Sequence, residues 1–242
     1  MNLNIVCLLG ILISSSVALA HGSLEWPKSR VKHIYDAMNQ TPRPVWAAQA
    51  IALDGEQSYY TWNQMSRNFP SAIQGNPQAY YDQIPDGQLA SAGNLPATAQ
   101  LPSHPGLSFS GLDTVSPSWL WPATPVSAGP REFTFYATAT HDPSFFKVWI
   151  SKQGYNPQTE LRWQDLESLG QPAHTRTGNN YYFTVNLPER TGRAVVYVAG
   201  NEWTLWAKYS TRCPMLIMAA AHRPAILSWD LPAPQRMCPK ML

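Results

Sequence analysis

Hydrophobic and polar residues alternate most clearly between residues 132 and 199. Across 132–140 the apolar positions are Phe133, Phe135, Ala137 and Ala139, every second residue, which predicts a half-buried strand. Residues 145–151 predict a second strand. Residues 181–187, with Tyr181, Phe183, Val185 and Leu187 in alternation, predict a third, and 193–199 a fourth. Turn residues separate them: Gly154-Tyr155-Asn156-Pro157, Gly178-Asn179-Asn180 and the segment from Pro188 to Gly192. Short strands at this spacing predict an all-β fold, an antiparallel sandwich of immunoglobulin or fibronectin class. Residues 42–100 lack the rhythm. Within them 47–53 predicts a short helix, and the rest reads as loop, so the sandwich carries a loop-rich insert with short helices. Residues 99–130 add a Pro/Ser-rich stretch. Long loops inside a compact domain are often functional.

Composition narrows the class. Of 242 residues 44% are hydrophobic and only 13% charged, and 22 prolines with 14 glycines exclude a bundle of long helices. The net charge is +2 and no Lys/Arg run exists, so no nucleic-acid partner is expected. Residues 4–17 are apolar or small, and Ala18-Leu19-Ala20 is an A-x-A cleavage site. This predicts a signal peptide over 1–20, a secreted protein, and a mature chain that starts at His21. No later stretch approaches the roughly 18 apolar residues of a membrane span, so no membrane partner is expected. A terminal His offers two nitrogen donors, its amine and its ring, that chelate one metal together. A planar nitrogen set suits cupric copper.

The residues that follow resemble a known family. His21-Gly22-Ser23-Leu24-Glu25-Trp26-Pro27-Lys28-Ser29-Arg30 resembles the H-G-x-x-x-x-P-x-S-R opening of copper-dependent lytic polysaccharide monooxygenases, the chitin-binding type 4 proteins of auxiliary activity family ten. Further matches follow in order. Tyr60-Thr61-Trp62-Asn63 resembles Y-x-W-N. Ile84-Pro85-Asp86-Gly87-Gln88-Leu89-Ala90-Ser91-Ala92-Gly93 resembles V-P-D-G-x-L-x-x-A-G. Thr138-Ala139-Thr140-His141 resembles T-A-x-H. Phe146 to Lys152 with Gly154-Tyr155-Asn156-Pro157 resembles F-x-x-x-I-T-K and G-Y-N-P, and Trp163-Gln164-Asp165-Leu166-Glu167 resembles W-x-D-L-E. The matches cover residues 21–199.

The resemblance implies one copper ion held by the His21 amine, the His21 ring and the His141 ring, these two residues being both metal ligands and catalytic. It implies an external reductant with dioxygen or hydrogen peroxide, and oxidation at C1 or C4 of a glycosidic link in a crystalline polysaccharide, chitin first. Ala139, on the same strand face as His141, is the small residue beside the metal's open side. Tyr60 and Trp62 are the candidates for stacking on sugar faces, and Asn63 for the polar residue behind the ligands. A monomer is expected. The alternative is a non-catalytic chitin-binding protein whose activity is compromised by an altered last strand; a structural inclusion-body protein is a third class. A glycoside hydrolase needs two facing carboxylates, and Asp86, Asp142 and Glu167 fall in separate motifs. His33, His104, His174 and His222 share no ligand spacing and read as surface residues.

After Ala199 the character changes. Residues 200–242 hold five of the 17 basic residues, two of the 15 acidic ones, four of seven Met and two of three Cys. The family's final strand reads roughly W-Q-R-x-D-x-x-x-E-x-F-Y. Back-translating from the third base of the Ala199 codon yields Trp-Gln-Arg-Met-Asp-Pro-Val-Gly-Glu-Val-Phe-Tyr-Ser, with the Asp and the Gly forced by the codons of Trp203 and Trp206. The expectation is a domain over 21–199 and an out-of-frame tail over 200–242 that forms no native final strand. That would leave the 193–199 strand at an open edge and the site without its axial aromatic. Cys213 and Cys238 could pair in an exported protein; in such a tail they are accidental, and Cys7 belongs to the signal.

Overall fold

The computed structural model describes residues 21–70, 78–94, 106–140, 144–202 and 209–221. The chain runs β1 (His21–Trp26), α1 (Arg30–Ala37), α2 (Val45–Asp54), α3 (Glu56–Tyr60), a 3-10 turn (Trp62–Gln64), β2 (Arg67–Pro70) and α4 (Gln78–Gln83). A second 3-10 turn (Ser110–Asp113) precedes β3 (Thr124–Val126), β4 (Gly129–Ala139) and β5 (Ser144–Ser151). After a third (Trp163–Asp165) come β6 (Leu166–Gly170), β7 (His174–Thr177), β8 (Asn180–Leu187), β9 (Arg193–Glu202) and β10 (Tyr209–Ala221). One sheet has the order β1-β4-β8-β7 and the other β2-β10-β9-β5-β6, with β3 against β10. The architecture is the expected antiparallel β-sandwich.

The two sheets meet through the alternating residues that the sequence singles out. Phe133, Phe135 and Ala137 of β4 are buried while Glu132 and Thr138 are exposed. Phe146 of β5 stacks on Phe183 of β8 with ring centroids 4.5 Å apart, and lies 5.2 Å from Phe135. Ala194 to Ala199 of β9 is buried on both faces. Its outer face is covered by Trp149 and Trp163, which pack on Tyr197 at 5.7 and 5.3 Å. Trp163 is fixed by the insert: its backbone N–H donates to Asp86 Oδ1 and its indole N–H to the Ile84 carbonyl, both 2.7 Å. The V-P-D-G-like and W-x-D-L-E-like motifs are therefore one joint.

The insert is more helical than its sequence rhythm suggests. The expected helix at 47–53 is α2. The first helix, α1, begins at Ser29, whose hydroxyl accepts from the Lys32 backbone N–H at 3.4 Å. Its loops are tied by buried polar groups. Asp54 accepts from Ser108 and Ser110 hydroxyls and the Gly111 N–H, each at 2.7 Å. Burial pushes the Asp113 carboxyl up to about 7, against the lowering effect of its bonds from Ser91 and Ala90 and of Arg30.

Two expectations need correction here. The strand expected over 193–199 continues to Glu202. The edge beside it is not open, because β10 lies antiparallel to β9 from Arg212↔Asn201 to Ala220↔Arg193. Ladder hydrogen bonds use only backbone groups, so a run of apolar, β-competent residues such as Met215-Leu216-Ile217-Met218 occupies that edge whatever its side chains.

Candidate metal centre

Of the residues that the sequence singles out, His21, Ala139 and Asn63 lie at one end of the sandwich. His21 opens β1, and its Cα pairs with Ala139, the last residue of β4. Gly22 follows, opposite Ala137, with a register shift between His21 and Gly22. Glycine is required there by contact. A Cβ on Gly22 would meet the ring of Phe135, with Cζ at 2.5 Å, and the Tyr136 carbonyl oxygen at 2.6 Å. β1 therefore lies against β4 more closely than a side chain allows, and His21 is set at the strand end by that contact.

His141 lies outside the described residues, as do His104, Asp142 and His222. His141 follows Ala139 by two residues, and two peptide units span at most about 7 Å. Ala139 is half-buried. Among the described residues no group of three His, Cys, Asp or Glu side chains is placed to hold a metal. A set made of one amine and two imidazoles contains no such group, so it depends on the ends of β1 and β4 alone. The register places residue 21 beside Ala139, at the end of the strand that precedes residue 141 in the chain.

The 3-10 turn over Trp62–Gln64 is fastened to the same strand end. Asn63 Nδ2 donates to Thr138 Oγ1 at 3.0 Å, joining the insert to β4 one residue before Ala139. Tyr60 is 49% exposed. Trp62 is not a surface ring: it is 8% exposed, with its centroid 6.2 Å from Tyr35 and 6.4 Å from Tyr136. The expectation that Trp62 stacks on a sugar is corrected by that burial, because a large flat ring packs where sheet and insert meet.

Two other expectations resolve differently. His33 is half-buried against Trp46, with centroids 6.3 Å apart and no hydrogen-bond partner for Nε2. Burial, helped by the nearby Lys28 charge, pulls its pKa down to about 4. His174 is also half-buried, packed on Phe146 and Tyr181 at 5.4 and 5.6 Å. The carboxylates of the motifs are structural: Asp86 holds Trp163, and Glu167 pairs with Arg190. A cavity of about 340 Å³ lies at the opposite end, around the β8–β9 turn, lined by Lys152, Tyr155, Arg190 and Arg193. Arg190 is spent on Glu167, and Arg193 donates to the Trp121 carbonyl at 2.6 Å. The end bearing His21 is thus distinct from that concavity.

Residues 21–212 match the family described as lytic polysaccharide mono-oxygenase, cellulose-degrading. The chain belongs to this family. Among lytic polysaccharide mono-oxygenases and their relatives, the chitin-binding protein CbpD of Pseudomonas aeruginosa is 33% identical over 193 residues, 77% of this chain and 44% of that protein. A lytic cellulose monooxygenase of Streptomyces ambofaciens is 28% identical over 200 residues, 77% of this chain and 50% of that protein. The chain spans about half the length of these curated relatives. The solved structure of a lytic polysaccharide monooxygenase important for chitin utilisation in Cellvibrio japonicus matches 82% of this chain and 98% of that one. Its TM-score is 0.65, at 27% identity. The family match begins at His21 and ends at 212, past the expected boundary at 199.

Two residues at this end escape sequence reasoning. Lys32 and Glu25 form an ion pair at 3.0 Å, and the Lys32 ammonium lies 4.1 Å from the Trp62 ring centroid. No motif spacing announces them: the ion pair links a strand to the helix that follows it, and the ring beneath the ammonium lies thirty residues on.

Proposed function

We propose that this lytic polysaccharide mono-oxygenase is a secreted, copper-dependent enzyme that oxidatively cleaves glycosidic bonds in crystalline chitin. The observation that carries the reading is the register His21↔Ala139, which joins the first residue of the family match to the strand that leads into Thr138-Ala139-Thr140-His141. Cleavage after Ala20 would remove residues 1–20 and free the His21 amine. The His21 amine and ring and the His141 ring then form the copper ligand set. When bound, copper supplies one-electron redox chemistry with an external reductant and dioxygen or hydrogen peroxide, which zinc does not. The chain's own share is placement. Gly22 seats β1 on β4. Ala139 keeps the strand end small. Asn63 holds Thr138, and exposed Tyr60 presents a ring on which a sugar face stacks. A strand end flanked by exposed Thr138 and Tyr60 suits a flat, insoluble substrate better than the concavity at the far end does.

Chitin is favoured because the relative at 33% identity is named for binding it, and the Cellvibrio protein is described by its importance for chitin utilisation. The family description and the Streptomyces relative name cellulose instead, so both polymers belong in the assay. The test uses the full chain beginning at His21 and the same chain carrying one extra Met. The His21 form should bind one cupric ion tightly and, with reductant and peroxide, release oxidised oligosaccharides from β-chitin. The extended form should lose tight binding, because the added residue turns the amine into an amide. Equal copper affinity in both forms overturns the ligand set. Copper-free chitin binding without oxidised products supports the non-catalytic alternative.

A further inference from the structure

We propose that Lys32 is a positioning residue that sets the exposed Tyr60 surface in register with His21. The inference rests on the reading of that surface as the polysaccharide face. Lys32 sits on α1 with its side chain only 11% exposed, unusual for an ammonium. Its Nζ is 3.0 Å from Glu25 Oε1, 4.1 Å from the Trp62 ring centroid and 5.1 Å from the Tyr35 ring centroid. Glu25 and His21 lie on the same strand, β1, four residues apart. Trp62 lies two residues after Tyr60, at the junction of α3 and the 3-10 turn. Lys32 therefore joins the strand that begins with His21 to the turn that follows Tyr60.

The arrangement is specific. A buried lysine needs a carboxylate or another electron-rich partner, and the open face of an indole is the best aromatic partner for a cation. Trp62 is held on its other sides by Tyr35 and Tyr136. Asn63 fixes the same turn to β4 through Thr138 at 3.0 Å. The turn is thus fastened to both strands of the pair that sets the site, to β4 by Asn63 and to β1 by Lys32 through Glu25. Replacing the ammonium by an apolar group of similar length keeps the packing of the stem and removes the electrostatic tie to Glu25 and Trp62.

The experiment compares the parent with Lys32→Met, Lys32→Arg and Glu25→Gln, all beginning at His21. Binding to β-chitin, cupric ion affinity and hydrogen exchange of residues 56–66 are measured on each. Lys32→Met should weaken chitin binding by up to about tenfold, the bound set when one partly desolvated internal cation–π tie no longer holds the binding-competent turn. It should speed exchange in 56–66 and leave copper affinity within about a factor of two, a change of about 0.4 kcal/mol. Lys32→Arg, which keeps charge and stacking, should restore binding and protection, and Glu25→Gln should fall between. The proposal is overturned if Lys32→Met exchanges like the parent in 56–66, if it loses protection equally throughout the sheets, or if Lys32→Arg rescues nothing. If the parent itself binds no polysaccharide, the functional reading fails, and the exchange data alone decide the positioning role.

Discussion

Replacing Gly22 by Ala tests how tightly β1 is seated. The φ of Gly22 is not in the left-handed region, so its backbone is open to any residue and the cost arises from contact alone. The new methyl would stand 2.5 Å from Phe135 Cζ and 2.6 Å from the Tyr136 carbonyl oxygen. The Phe135 ring cannot swing away freely, because it packs on Phe146 at 5.2 Å and Tyr181 at 6.1 Å. The carbonyl belongs to a ladder strand. Relief requires β1 to move away from β4 by several tenths of an ångström. Overpacking of this kind costs about 1–3 kcal/mol. For a domain of this size each 1 kcal/mol lowers Tm by about 2–4 °C, so the expected drop is about 2–12 °C. His21, the adjacent residue, moves with the strand, and copper affinity should fall as well. Gly55→Ala is the control: its φ is +79° with nothing within 4 Å, so it carries only a local conformational cost and leaves copper affinity alone. Calorimetry and copper titration of the two variants decide. A Gly22→Ala protein with parental Tm and parental copper affinity would refute the contact argument.

Other consequences can be checked in parallel. His33, depressed to about 4 by burial, contributes stability that is present above its unfolded pKa near 6.5 and is lost as pH falls through 4. After discounting for its solvent-exposed part this is up to about 2 kcal/mol. His33→Phe should flatten the stability profile between pH 6.5 and 4 in denaturant melts, and an unchanged slope would show that the ring is not desolvated. Thr138→Val removes the acceptor of the 3.0 Å bond from Asn63; hydrogen exchange around residues 62–64 should rise while global stability falls by about 1 kcal/mol, and unchanged protection contradicts the strut. Trp62→Ala should destabilise by about 3–5 kcal/mol, as expected for a packed core indole. A loss below 1 kcal/mol in a urea titration would return Trp62 to the surface.

The sequence carries the core sheet pairs in the open. Phe133-Phe135-Ala137 and Tyr181-Phe183-Val185 lie side by side on the inner face of one sheet, on the paired strands β4 and β8, and alternation marks them because one face of each strand is wet. β9 is wet on neither face, and its continuous Ala194–Ala199 run reveals a strand only by its β-branched residues and its flanks. β1, β3, β6 and β7 are too short to show a period. α1 hides because its amphipathic pattern is broken by Arg30 and Lys32, polar residues that are nonetheless buried by pairing. At the site, terminal His chemistry and the T-A-x-H resemblance point to the strand ends. They give no sign that Trp62 is interior, since Tyr60 and Trp62 are equivalent rings in a motif. Only the tertiary neighbours Lys32, Tyr35 and Tyr136 separate them. Asp86 and Glu167, the acids a hydrolase reading would have used, hold Trp163 and Arg190 instead.

The tail is where backbone and side chains give different information. β10 follows β9 from Arg212 to Ala220 and pairs with β2 over Tyr209–Arg212 and with β3 over Ala219–Ala221. Such pairing requires a strand, not a particular sequence. Register, by contrast, is specified by alternation, and Met215-Leu216-Ile217-Met218-Ala219-Ala220-Ala221 has none. Pro214, opposite Ala199, also removes one ladder donor. In-frame strands with one wet face alternate, as β4 and β8 do, whereas β9, buried on both faces, is pinned between two paired neighbours. The reading of 200–242 as an out-of-frame tail therefore predicts a difference in specificity as well as in stability. Gly200 faces inward, where a Cβ would lie 3.3 Å from Phe146 Cε1 and 3.6 Å from Phe135 Cε2. The alternative frame puts Trp at that position, and its indole stabilises the sandwich only where Phe146 and Phe135 repack around it. Both chains can be expressed from His21 and compared by thermal melting, and their 209–221 segments by hydrogen exchange. The reframed chain should melt higher and exchange as a single cooperative unit. The chain as written should show 209–221 exchanging before β9, because a register that nothing pins opens first. Equal melting with equal protection in 209–221 would establish the strand as genuine structure and remove the ground for a frame change after Ala199.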